Sequence, residues 1–455
     1  MLSLSVLTAI WRCQQSNKPI LYPQWPRESR PVLGGGRQRE RLLRQNDLWR
    51  SIFGLEQTVI ERAYMDHDQG AIIVHVRPHS RFGRRCGVCR RPCPGYDRGG
   101  GLRRWRTLDL GEMMCFLEAE APRVHCREHG VVAAAVPWAR HNAGHTYAFD
   151  DQVAWLATHC SKEAVRELMR IAWATVGAII ERVSADARKR MDLLDGVRRI
   201  GIDEISYRRG QKYLTVVVDH DTGRLLWAAP GRDEKTVGEF FELLGTERCA
   251  RITLVSADAA SWIAKAVQRY CPQAQRCMDP FHVVSWATDA LDQLRREVWN
   301  AARKDGQHAV ASDLKGARWA LWKNPEDISD RQRGQLADIA RTNRPLYRGY
   351  LLKEQLRQVF HLPHHRAMEM LARWLSWARR CRLAPFVHLA KTITTHFAAI
   401  EAALQHRLSN ARVEAINTRI RLITRVAFGF RSTGALIGLA MLSLGGLCPN
   451  LPGRR

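Results

Sequence analysis

Arg199-Ile-Gly-Ile-Asp-Glu-Ile-Ser206 is an apolar run carrying two adjacent acids, and it lies where the hydrophobic period of the chain changes. Upstream of Asp195-Gly196, apolar residues recur at helical spacing: Val153, Leu156 and Ala157; Val165, Leu168 and Met169; Val176, Ile179, Ile180 and Val183. Downstream, short strand-like runs alternate with helical stretches. Arg199–Ser206 and Tyr213–Asp219 read as strands, and Arg224–Ala229 as a third, entered through the Asp221-Thr-Gly223 turn. A helix over Lys235–Leu244 precedes a strand, Ile252–Ser256, that leads into Asp258. A further helix, Ser261–Tyr270, precedes a short strand over Gln275–Met278 that ends at Asp279. This is an α/β pattern.

Three consecutive strands followed by helix-strand-helix-strand is the element order of an RNase H-like core. The regions around it differ in character. Residues 1–45 hold Pro19, Pro23, Pro26, Pro31 and Gly34-Gly35-Gly36 without a hydrophobic period, and read as a disordered or spurious extension. Residues 46–145 read as a hairpin (Thr58–Tyr64 and Ala71–Val76 around Asp66–Gly70) with a zinc-binding segment at about 84–130. Residues 146–195 read as a helix-turn-helix-like region, 196–281 as the first part of the core, and 282–408 as an all-α insertion rich in Trp and Leu. The core resumes over 409–447 with a helix opened by Asn410, and 448–455 is a tail.

Three acids carry the chemistry. Asp203 ends one apolar strand and Asp258 directly follows another, while Glu414 lies on a helix between Asn410 and Asn417. Strand ends of an α/β sheet open into one crevice. Two-ion phosphoryl transfer requires hard oxygen ligands converging in such a place. Asp279 also follows a strand and competes with Asp258 for the second position; Asp258 is preferred. Glu204 and Asp219 read as structural or phosphate-proximal.

Gly201-Ile-Asp-Glu204, Tyr213-Leu-Thr-Val-Val-Val-Asp219 with Thr222-Gly223-Arg224, Asp279-Pro-Phe-His-Val283, Asn410-x-x-x-Glu414-x-x-Asn417 and Arg425-x-x-x-Gly429-Phe430-Arg431 together resemble insertion-sequence transposases of the ISL-three family, from about Trp49 to Gly446. The resemblance implies a DDE triad of Asp203, Asp258 and Glu414 holding Mg²⁺ or Mn²⁺, and a helical domain inserted before the Glu. Asp279-x-x-His282 looks like the Asp/Cys-x-x-His element of related transposases, which implies an orienting role. Two departures stand out: Ala259-Ala260 follows Asp258 where the family often carries a larger residue, and the first 45 residues have no counterpart.

Cys86-Gly-Val-Cys89 and Cys126-Arg-Glu-His129 are two knuckle-like pairs, and such spacing delivers two ligands per turn to one tetrahedral Zn²⁺. Cys93 and His125 are the spare ligands. Arg84, Arg85, Arg103 and Arg104 crowd this segment and read as DNA contacts, and the resembled family carries a zinc module here. Further on, Ser161 can cap a helix reaching Arg170, and Trp173-Ala-Thr175 can turn the chain into a second helix, Val176–Arg188. That pairing suggests a helix-turn-helix with Arg182, Lys189 and Arg190 available to phosphates, Arg425 joining them from the C-terminal motif.

Lys+Arg 71 against Asp+Glu 45 leaves a net charge of +26, which favours a polyanionic partner. No stretch approaches the roughly 18 apolar residues of a membrane span, and the start makes a poor secretory signal. Apart from this cluster the chain's twelve cysteines are scattered, as in a reducing compartment. The expectation is a cytoplasmic, nucleoid-associated enzyme that binds the terminal inverted repeats of its element and target duplex DNA, acting as a homodimer or larger assembly. A metal nuclease or resolvase on the same fold, or a zinc-finger regulator without catalysis, are the alternatives.

Overall fold

The computed structural model describes residues 45–208 and 210–454. The extension read over 1–45 therefore lies outside the described residues, apart from Gln45, which opens helix α1 (Gln45–Phe53). Strands β1 (Thr58–Asp66) and β2 (Ala71–Pro78) form the expected antiparallel hairpin, with Asp66 opposite Ala71. The Asp66 carboxylate accepts from the Gln69 amide at 3.0 Å and closes the turn.

Between the two cysteine knuckles the chain does more than the sequence reading found. After β3 (Gly95–Asp97), strands β4 (Leu102–Leu110) and β5 (Met113–Glu120) pair antiparallel, and β5 joins the hairpin in parallel. The result is a four-stranded sheet ordered β1-β2-β5-β4. Strands β6 (Arg123–Cys126) and β7 (Gly130–Ala133) pair with β3 in a separate small sheet. Arg103 and Arg104 thus belong to a sheet strand, and Arg104 is paired with Glu118 on β5 at 2.7 Å.

Helices α2 (Tyr147–His159), α3 (Lys162–Met169) and α4 (Trp173–Arg190) follow. Ser161 caps α3 as expected, its hydroxyl accepting from the Ala164 amide at 3.2 Å. Arg170 ends α3 in the left-handed conformation, and α4 starts at Trp173, three residues before the expected point. Val165 and Met169 are buried but Leu168, read as sharing their face, is 63% exposed.

The central sheet is ordered β10-β9-β8-β11-β12, from β8 (Arg199–Arg208), β9 (Lys212–Asp219), β10 (Leu225–Pro230), β11 (Leu254–Ala257) and β12 (Gln275–Met278). The first three run antiparallel, whereas β11 is parallel to both β8 and β12. Helices α5 (Glu234–Leu244), α6 (Thr246–Cys249) and α7 (Ser261–Tyr270) cover one face, where Ile200, Ile202 and Val255 pack with Phe240, Phe241 and Ile263.

Helices α8 (Pro280–Lys304), α9 (His308–Gly316), α10 (Arg318–Trp322), α11 (Asp330–Thr342), α12 (Arg344–Val359), α13 (His364–Arg380), α14 (Ala384–Thr395) and α15 (Phe397–His406) make up the all-α insertion. It has its own core, centred on the buried Trp374, whose indole N–H donates to the Leu352 carbonyl at 2.8 Å. The chain then returns to the sheet through α16 (Ala411–Val426) and α17 (Thr433–Leu444). These two lie on the other face in a core shared with α2, α3 and α4: Ile205, Val216 and Val218 pack with Val413, Ile416, Leu436, Ile179 and Ile180. The helix-turn-helix-like region therefore shares one hydrophobic core with the central sheet. Close packing explains one glycine: a Cβ on Gly201 would lie 2.3 Å from Val413 Cγ2 and 2.8 Å from His220 Nε2. Among the described residues no helix is long and apolar enough to cross a membrane.

Candidate active site and metal centre

Registry places the acids. Gly201 on β8 pairs with Ser256 on β11 in parallel, so Asp203 and Asp258, each two residues further, fall level on adjacent strands. Neighbouring strands lie roughly 4.8 Å apart, so both carboxylates leave the same rim of the sheet. Ala257 pairs with Met278, which sets Asp258 level with Asp279 in turn. Gly201, Asp203 and Ile205 alternate onto the face beneath α16, whereas Glu204 points to the opposite face and bonds Arg232 at 2.8 Å.

Helix α16 brings in the third acid. Asn417 Nδ2 donates to Asp203 Oδ2 at 2.8 Å, and Glu414 lies one turn earlier on the same helix. Asp203 and Asp258 are half-buried and Glu414 is exposed. Burial pushes Asp203 up to about 7, with the Glu204 and Asp258 carboxylates adding to the effect. Partial burial and the Asp279 carboxylate likewise hold Glu414 above the ordinary range. Here is a site that concentrates negative charge and lacks enough cationic partners to neutralise it.

Asp279 differs from Asp258. It is 2% exposed and both of its oxygens are engaged: Oδ1 accepts from the Asn410 amide at 3.1 Å, and Oδ2 meets His282 Nδ1 at 2.9 Å. That hydrogen bond raises His282 above the usual imidazole value. Asp258 has one local bond, accepting from the Ala260 amide at 2.9 Å.

Sequence reasoning missed a buried chain beneath the acids. His220 Nε2 donates to Ser256 Oγ at 2.6 Å, and Ser256 donates in turn to Asn410 Oδ1. Burial lowers His220 to about 4, so it is neutral at physiological pH. Its signal was a lone serine inside the apolar strand Leu254-Val-Ser-Ala257. Asp219, in contrast, closes the β9–β10 turn, accepting from the Asp221 and Thr222 amides at 2.9 and 3.2 Å.

Cys86, Cys89, Cys126 and His129 form one group whose ligand atoms all lie within 4.8 Å, and it is the sole such group among the described residues. Cys93 and His125 stay outside it. Cys89 Sγ is 3.7 Å from Cys126 Sγ, and Cys126 Sγ is 3.5 Å from His129 Nδ1. Tetrahedral bonds of about 2.3 Å to sulfur and about 2.0 Å to nitrogen require separations of about 3.8 and about 3.5 Å. The hydrogen bond from His129 draws the Cys126 thiol down to about 6, as a thiolate ligand requires. Gly87 is fixed by crowding, since a Cβ there would meet His141 Nδ1 at 2.2 Å and the Ala133 carbonyl at 2.6 Å.

The arginines expected to face DNA divide into two sets. Arg84, Lys189 and Arg425 are exposed and make no ion pair with any described residue. Arg85 donates to the Arg90 carbonyl at 3.2 Å, and Arg103 to the Ala143 carbonyl at 2.8 Å. Arg190 pairs with Asp186. Arg182 is a correction: two of its nitrogens donate to the fully buried Asp150 at 2.9 Å each, so it ties α4 to α2 instead of waiting for phosphate.

Comparisons with known proteins cover each of these regions. A family model described as "Transposase" matches residues 200–438, spanning all three acids. The helix-turn-helix domain of transposase family ISL3 matches 134–184, and the zinc-finger of transposases IS204/IS1001/IS1096/IS1165 matches 83–129. The transposase for insertion sequence element IS1557 of Mycobacterium tuberculosis is 57% identical over 436 residues, covering 90% of this chain and 98% of that protein. The transposase for IS1001 of Bordetella parapertussis is 26% identical over 388 residues, covering 84% and 94%. A zinc ribbon, a DNA-binding helix-turn-helix and a DDE transposase domain thus occur in one chain, in the order in which the fold presents them: the protein belongs to the ISL3 family of DNA-binding transposases.

Proposed function

We propose that the protein binds the terminal inverted repeats of its insertion sequence, cuts the DNA strand there and joins the freed end to target duplex. The observation that carries this is the level placement of Asp203 and Asp258 on adjacent parallel strands, with the turn of α16 bearing Glu414 held over them by Asn417. The sheet order, three antiparallel strands and then two parallel ones, supports an RNase H-like core. Asp203, Asp258 and Glu414 would hold two divalent ions, Mg²⁺ or Mn²⁺. Burial, with the neighbouring carboxylates adding to it, raises Asp203 and Glu414, and a divalent cation would relieve both effects; a pair of ions spreads its ligands more widely than one ion does. When bound, such ions supply charge to the attacking and leaving oxygens.

The chain's own groups do the positioning. Asn417 fixes the Asp203 carboxylate, and Asp279 anchors both Asn410 at the start of α16 and His282 at the start of α8. In the first step a water oxygen attacks the phosphorus and the 3′ oxygen leaves with a proton. In the second, that 3′-hydroxyl attacks a target phosphorus and a target oxygen leaves.

The Cys86, Cys89, Cys126 and His129 site fits structural Zn²⁺. Arg84 beside it, Lys189 at the end of α4 and Arg425 at the end of α16 are the phosphate contacts. Before its basic last turn the exposed positions of α4 are Ala174, Ala178 and Ala185, which suit close apposition to DNA more than hydrogen-bonded base reading. Because two ends must be held together, the active form is a dimer or larger. A gel assay of nicked and joined products on an end-bearing duplex in Mg²⁺ tests the reading; cutting without any joined product would replace it with a nuclease.

A further inference from the structure

The loop after α16 carries a side chain that the acid site does not use. Phe428 is 90% exposed, and its backbone is in the left-handed region with φ 52°, where bulky residues are rare. The residue lines a cavity of 390 Å³ whose other aromatic residues are Trp173, Tyr207 and Phe430, with Arg208 and Arg431 beside them and no acid in the lining. That volume lies within the roughly 300–1,000 Å³ range of small-ligand sites.

The inner walls are fixed. Lys162 Nζ sits 3.3 Å from the Trp173 ring centroid and 5.2 Å from that of Phe430, and the Tyr207 hydroxyl lies 3.1 Å from Thr433 Oγ1. Among the cavity's aromatic residues Phe428 alone has most of its surface in solvent. Flat aromatic walls with cationic neighbours suit a base attached to its phosphates, because every base offers a π-face. The place also suits it: Tyr207 is four residues beyond Asp203 on β8, about 13 Å at roughly 3.3 Å per residue, or about four nucleotide steps.

We propose that this cavity receives one base of the DNA end, swung out of the duplex about four nucleotides from the cut phosphate, while Phe428 takes the vacated place in the stack. The proposal rests on the transposase reading of the acids.

The test uses full-length protein and end duplexes carrying a single 2-aminopurine at each of the outermost positions of either strand. Binding is followed by fluorescence and mobility shift in Ca²⁺, and cleavage is then started with Mg²⁺. Wild type is expected to brighten one position several-fold. Phe428→Ala loses that signal and cuts roughly 10–100-fold more slowly while still shifting the duplex, and Phe428→Trp restores both. An abasic site at the same position returns Phe428→Ala to near wild-type cutting. Flat fluorescence at every position, with Phe428→Ala cutting as fast as wild type, overturns the pocket and leaves the transposase reading standing. A wild-type protein that binds but never cuts any of these duplexes overturns that reading instead.

Discussion

Asn417 Nδ2 lies 2.8 Å from Asp203 Oδ2, a bond that ties the helix of the third acid to the strand of the first across 214 residues of sequence. The bond holds α16 in register over β8, with Glu414 one turn earlier on the same helix. Asn417→Ala is expected to reduce end cleavage by roughly 10–100-fold, as loss of groups that orient metal ligands commonly does. End binding measured by mobility shift should be unchanged, and higher Mg²⁺ should recover part of the rate. Undiminished cutting at low Mg²⁺ would show that the bond is incidental.

Asp203 titrates at about 7 in the folded chain against roughly 3.9 for a free carboxyl. The raised value means that its contribution to stability is full below about pH 4 and is lost as pH rises through about 7. Metal-free wild type should therefore lose thermal stability between these limits, and Asp203→Asn should lose less of it and be the more stable protein at pH 8. Adding Mg²⁺ at pH 8 should raise Tm of wild type but not of Asp203→Asn. Parallel Tm–pH profiles for the two proteins would contradict the assignment.

One zinc per chain is expected by metal analysis of protein purified without chelator. Cys126→Ser should abolish it and His129→Ala should weaken it, while Cys93→Ser should leave it intact. Full zinc in Cys126→Ser would mean that the 3.5 and 3.7 Å separations around Cys126 do not mark a site.

Arg182 supplies a test of structure against surface charge. Because Asp150 is fully buried and bonded by two Arg182 nitrogens, with Arg140 at 3.5 Å as its remaining partner, Arg182→Ala should destabilise the fold by roughly 1.5–3 kcal/mol, as loss of hydrogen bonds to a charged group does. Lys189→Ala should leave Tm unchanged and weaken DNA binding. A normal Tm for Arg182→Ala would return that residue to the DNA-facing set.

These cases mark what the sequence makes legible. Strands β8 and β9 could be read because β-branched runs ended at acids or turns, β11 and β12 because each short segment follows a helix and leads into an Asp, and the zinc ligands because their spacing is rigid. Strands β4 and β5 escaped notice because Arg103, Arg104 and Arg106 interrupt the alternation, and the pairing partner Glu118 lies on the next strand. The bond from Arg182 to Asp150 spans 32 residues and depends on burial, which charge counting cannot register. Leu168 followed the helical period of its neighbours yet faces solvent, since the short α3 buries a narrow stripe. His220 and Ser256 were missed because each is a single polar residue at the edge of, or within, an apolar strand.

The most direct measurement compares Asp203→Asn, Asp258→Asn, Glu414→Gln and Asp279→Asn with wild type, scoring cleavage and joining beside mobility shift on the same end duplex in Mg²⁺. The first three keep side-chain size and remove a charge, so each should bind DNA normally and lose roughly 10³-fold or more in cutting. Asp279, buried with both oxygens already bonded, should give a partial loss through the positions of Asn410 and His282. Normal cutting by Asp258→Asn together with a dead Asp279→Asn would move the second ligand to Asp279, and wild-type cutting by all four would contradict the catalytic site itself.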